Sequence, residues 1–240
     1  MSATLASLQD ARDYFERLPK QLETYFDDAY QAAFDNIMQA LKQFFDVAST
    51  IDQQAKEDHI ISQREATEIG DHGFVLLLKL SDLMEKLDLP HKRQEIEQIS
   101  LIFARWVIQY KGQLNHIEPI VNAFAHSANS MKEKQSLLAL VELMGMVVDA
   151  SADSIKHDLE SSNLYRPWRL LHINRGIVAT RTHDDAIMRK VFDEMMFYLP
   201  QDASSFFAEG MQEMEALDYP PNVRKLIEEY YLHPPKLNLH

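Results

Sequence analysis

From Leu22 onward, apolar side chains recur every three or four positions: Phe26, Ala29, Ala33, Ile37, Leu41, Phe44 and Ala48. That period lays them along one face of a helix. Pro19 sits where such a helix can begin, since its missing N–H is one of the donors a helix start leaves unpaired anyway. The spacing predicts a helix of about 28 residues, on the order of 40 Å long at 1.5 Å per residue. A shorter helix is expected before it, over 7–18.

The same rhythm continues down the chain. Ser62 and Glu65 have the spacing of a capping box, in which each side chain satisfies the other residue's backbone N–H. The helix they open is expected to reach Leu87, with Gly70 and Gly73 inside it. The Asp71-His72-Gly73 run reads as a close helix contact at Gly73. Pro90 starts a helix carrying Ile96, Ile99, Ile102, Phe103, Trp106 and Tyr110 before Gly112 stops it. Helices follow over 117–130 and 133–159. Residues 137–148 are apolar on nearly every face, the mark of a helix enclosed by others.

Shorter helices are predicted over 167–181, 184–199, 202–217 and 222–232. Thr182 with Asp185 provides one start signal and Asp202 a cap for the next. The prolines of 233–240 cannot continue a helix, so an extended tail is expected. No segment alternates as a strand would. Short connections imply antiparallel neighbours.

The expectation is therefore an all-α fold of about nine antiparallel helices. A long-helix bundle (1–160) is followed by short α-hairpins (161–240), with a soft boundary at the SSNLYRP stretch and one shared core. The spacing of the last helices resembles a helical-repeat array, although no repeating signature accompanies it.

Composition agrees. Six glycines and nine prolines in 240 residues are too few for the turns of an all-β fold. An apolar fraction of 46% can fill a sizeable core. With no cysteine there is no disulfide, thiol nucleophile or thiolate metal site. The first residues lack a basic segment followed by a continuous apolar block, so no secretory signal is expected. The apolar runs at 74–80 and 137–148 fall short of the roughly 20 residues of a membrane span. A soluble cytoplasmic protein is expected. A net charge of −13 disfavours nucleic acid as a partner.

One segment departs from that acidic background. Residues 165–190 carry six basic residues against two acidic ones. On a helical wheel, Arg166, Asn174 and Arg181 share the arc of Leu170, Ile173 and Ile177, while Trp168, Leu171 and Val178 lie on the other side near Arg175. A helix enclosed on two sides would carry guanidinium groups inward, where an unpaired charge costs several kcal/mol. Partners could be carboxylates of the chain itself or an anionic ligand matched to the planar Arg fork. In the second case Arg166, Arg169, Arg175 and Arg181 are the expected contacts, with His172 and Asn174 nearby.

Other chemistry lacks support. Asp149, Asp153 and His157, and Glu68 with His72, have metal-like helical spacings, but neither Glu-x-x-His nor His-Glu-x-x-His occurs. Nucleophile elbows and phosphate loops are missing, so neither a metal nor a cofactor is expected. Trp106 and Trp168 are assigned to the core, and Tyr219, Tyr230 and Tyr231 to an exposed surface.

Two functional classes follow. The first is a non-enzymatic helical scaffold that binds a protein partner or a second copy through an inter-helix groove. The second is a helical domain that holds a small phosphate- or carboxylate-bearing ligand on the arginine-rich helix, where His172 or His183 could move a proton.

Overall fold

The computed structural model describes residues 7–26, 28–57 and 61–232, so the tail at 233–240 lies outside the described residues. Eleven helices occupy them, against the nine or so expected: α1 (Leu8–Leu22), α2 (Asp28–Ala55), α3 (Gln63–Lys86), α4 (Pro90–Gln109), α5 (Glu118–Ser130), α6 (Lys134–Ala150), α7 (Asp153–Lys156), α8 (Pro167–Thr182), α9 (Asp185–Tyr198), α10 (Pro200–Ala216) and α11 (Pro221–Leu232). The fold is all-α. Among the described residues no helix is long and apolar enough to cross a membrane.

Two compact units divide the chain. One runs to His126 and also takes Asp149–Ala152; the other combines Ser127–Val148 with everything from Asp153 onward.

In the first unit, α3 packs on α2 and α4, and α1 on α2 and α4. Its centre is aromatic. Phe44 stacks on Phe103 with ring centroids 4.5 Å apart, and Phe45 and Phe74 meet Phe103 edge-on. Gly73 makes that stack possible, because a Cβ there would stand 2.7 Å from Phe44 and 2.9 Å from Phe103. The close contact read from the sequence at Gly73 is thus present. The Ser62–Glu65 capping box also forms, with both reciprocal hydrogen bonds in place.

Pro19 plays a different part from the one expected. It lies inside α1, and α2 starts at Asp28. Buried Leu18 and Leu22 continue the face of Ala11, Tyr14 and Phe15, so burial carries the helix past Pro19 although the proline gives the Phe15 carbonyl no N–H.

The helix expected over 133–159 is broken. Leu114 N–H donates to the Ala150 carbonyl at 2.8 Å, and Ala152 N–H donates to the Leu114 carbonyl at 3.0 Å. These two bonds take Ser151 out of the helix and into an isolated parallel bridge with Leu114. Asp149, Asp153 and His157 therefore do not share one helix. Among the described residues no group of three or more His, Asp or Glu is placed to hold a metal ion.

In the second unit, α9 packs on α8, α10 and α11, and α10 on α11. Phe192, Phe207 and Tyr230 form its aromatic centre. Tyr230 is therefore buried, contrary to the surface position expected of it, and its hydroxyl donates to Asp193 at 2.6 Å. Tyr231 is exposed as expected, whereas Trp106 and Trp168 are buried.

Candidate functional site

α8 carries the arginine-rich sequence, and Pro167 at its first position fixes where it starts. Its covered face is formed by Trp168, Leu171, His172, Arg175, Val178 and Ala179. Leu170 and Ile173 are only half-buried, and Ile177 is 46% exposed. The wheel correctly grouped these residues by face, but the face it took as an apolar stripe is the more open one.

Arg166 precedes the helix and is 4% exposed. Its Nε donates to Asp158 at 2.6 Å, one Nη to the Asn163 carbonyl at 2.8 Å, and the other Nη to Asp202 at 2.9 Å. Burial pulls its pKa down, but Asp158 and Asp202 outweigh that and hold it above the ordinary arginine value. Arg169 shares Asp202, donating from Nε at 2.6 Å, and reaches the Leu164 carbonyl at 3.0 Å. Asp202 was expected to cap the next helix. Instead Pro200 opens α10, and Asp202, in its first turn, turns its carboxylate to both arginines.

Arg175 is buried, ion-paired to Glu194, and donates from Nε to the Val141 carbonyl at 3.3 Å. Gly145 of α6 admits it: a Cβ there would stand 2.7 Å from its Nη2. Arg181 donates to the carbonyls of Ala128 at 2.7 Å and Met131 at 2.5 Å, at the C-terminal end of α5. There a cation meets backbone oxygens that no further turn of helix satisfies. Asn174 is half-buried in α8.

The structure thus gathers Arg166 and Arg169 on Asp202 and sends Arg175 and Arg181 to other partners. The decisive residues absent from the sequence reading are Asp158, Glu194 and Gly145, and Asp202 entered it only as a helix cap. Among them only Gly145, a glycine in the middle of a strongly apolar helix, carries a local signal of close approach.

His172 is buried, with its ring 4.5 Å from that of Trp168 and 5.2 Å from that of Tyr198. Neither its Nε2 nor Trp168 Nε1 has a hydrogen-bond partner among the described residues. Burial first, then the charge of Arg175, pushes the imidazole pKa down to about 3. Burial thus favours the neutral ring and leaves it little access to solvent. His183 is exposed and ends α8 in a left-handed conformation with φ 54°.

Arg166, which is buried, and Arg169, which is half-buried, also bond to the segment that precedes them. Residues 157–165 turn sharply, with Asp158 at φ 49°. They are held from below by Arg166 through Asp158 and Asn163, by Arg169 through Leu164, and by the Asn163 side chain, which accepts from Tyr165 N–H at 2.9 Å. Within this segment Leu159, Leu164 and Tyr165 are 81%, 61% and 82% exposed.

Comparison with family models, curated proteins and solved structures finds no match to this chain.

Proposed function

We propose that this chain is a non-enzymatic helical scaffold that binds a protein partner through the clamped segment 157–165, with α8 to α11 acting as an antiparallel hairpin frame beneath it. One observation carries the reading: three large apolar side chains stand in water on a backbone tied down by buried arginine. Exposed apolar groups that cluster mark interaction sites. Holding them in place beforehand lowers the ordering cost of binding. Leu159, Leu164 and Tyr165 suit an apolar groove, and the Tyr165 hydroxyl suits an acceptor at its edge.

The chain's own charge selects the kind of partner. Two copies at −13 each repel one another, so self-association is opposed, and a partner whose groove has a basic rim is favoured. The alternative, a small anion held along α8 by Arg166, Arg169, His172, Asn174, Arg175 and Arg181, is weaker. Arg166, Arg169 and Arg175 are already paired with carboxylates of the chain itself, and Arg181 goes to separate carbonyl partners, so the set does not act as one site.

A photo-crosslinking residue at position 165 should give one discrete product in cells. That product should weaken as salt rises and disappear when Leu159→Ser and Leu164→Ser are added. Crosslinking that ignores both substitutions, or a dimer in sedimentation that the substitutions dissolve, would remove the reading in this form.

A further inference from the structure

A pocket of about 360 Å³ lies at the C-terminal end of α8, away from the clamped segment and independent of any protein partner. The depression is open rather than enclosed, so it suits a small ligand held from one side. Three nitrogen-bearing side chains line it: Lys132, Arg181 and His183. They come from two distant parts of the sequence, in a chain whose balance is strongly acidic.

The cations there are not neutralised by carboxylates of the chain. Arg181 bonds only to carbonyl oxygens, and one N–H on each terminal nitrogen serves them, so further guanidinium donors stay free among the described residues. Lys132 is exposed and makes no ion pair among the described residues. The acid in the lining, Asp218, is exposed and pairs with Arg224 at 2.9 Å, which partly offsets its charge. Nearby Asp184 accepts Ile187 N–H as the cap of α9.

The rest of the lining is apolar. Leu137 is buried, Leu217 is exposed, and the Tyr219 ring meets the His183 ring edge-on at 5.9 Å. An open depression lined by cations together with a ring and two leucines matches a molecule with the same two halves.

We propose that this pocket binds a small phosphate monoester carrying an apolar body, its phosphate on Lys132, Arg181 and His183 and its body against Leu137, Leu217 and Tyr219. Two permanent cations suit a group that carries close to two negative charges near neutrality. The free guanidinium donors suit its oxygens.

Isothermal titration of the full chain with phenyl phosphate tests this. Saturable binding is expected, with benzoate weaker, inorganic phosphate weaker, and benzyl alcohol not binding. Lys132→Glu changes an exposed side chain, so the fold should persist, with unaltered circular dichroism and melting, while affinity falls roughly tenfold or more. His183→Asn keeps a residue that tolerates the left-handed backbone and should weaken binding less. Absence of saturable binding by phenyl phosphate would overturn the assignment. Equal affinity for benzyl alcohol would remove the anion site, and equal affinity for inorganic phosphate would remove the apolar half. Undiminished binding by folded Lys132→Glu would place the ligand elsewhere.

Discussion

The two units hold together by different means. Around Phe103 the first unit relies on rings in direct contact, with Phe44 stacked at 4.5 Å across the gap left by Gly73. The second unit has rings around Phe192, but it also buries guanidinium groups at Arg166 and Arg175. Aromatic burial involves no charge, so pH and moderate salt act on it little, although the rings prefer stacked or edge-on contact. Buried ion pairs need each partner in place, and losing one leaves the other charge stranded. Ionic anchorage therefore fixes geometry more than it adds stability; the first unit buries one such charge, Glu97 paired with Arg93, whereas the second buries two guanidinium groups and also presents the apolar segment 157–165.

The largest effect should come from Phe103→Ala, which removes the ring shared by Phe44, Phe45 and Phe74. A loss of about 4 kcal/mol is expected in denaturant unfolding, unchanged between low and high salt. Dependence on salt would erase the contrast between the units.

Arg175→Ala should cost about 3 kcal/mol by stranding Glu194 and the Val141 carbonyl. The double substitution Arg175→Met with Glu194→Leu should recover most of that loss. If the double change costs as much as the sum of the single ones, the pair is not what holds α8 to α9.

His172 gives a pH-dependent difference of intermediate size. Its folded pKa of about 3 lies below the ordinary 6.5, so protons bind the unfolded chain more readily. Stability from this group is complete above pH 6.5 and is lost as pH falls towards 3. Between pH 8 and pH 5 the loss is about 2 kcal/mol by proton linkage. His172→Phe should abolish that part of the acid sensitivity, read as the difference between the two unfolding curves.

The smallest effect should be on the clamped segment itself. Serine at Leu159, Leu164 and Tyr165 should leave unfolding within about 0.5 kcal/mol, because these side chains touch little of the core. A large loss would mean that the segment is structural.

Features dictated by near neighbours were legible in the sequence. The Ser62–Glu65 box needs only residues three apart, Pro90 starts its helix by its own ring, and Gly73 lacks a side chain in an apolar helix. The partners of the arginines were not. Asp202 reaches Arg166 from 36 positions away, and Arg181 ends on carbonyls, which every residue possesses. Helical spacing says which residues of α8 share a face, but it cannot say which face a neighbour will cover, as Ile177 demonstrates. Pro19 and Ser151 were misread for a related reason: burial of Leu18 and Leu22 outweighed a local stop signal, and a distant backbone at Leu114 imposed one where none was written.

The bridge between Leu114 and Ser151 bears on how the protein is born. The chain leaves its first unit after His126, returns for Asp149–Ala152, and leaves again. During synthesis, Leu114 therefore emerges well before the backbone that completes its pairing. The early part is completed only after residues 127–148 of the later unit have been made, and no single cut in the polypeptide can release either unit whole.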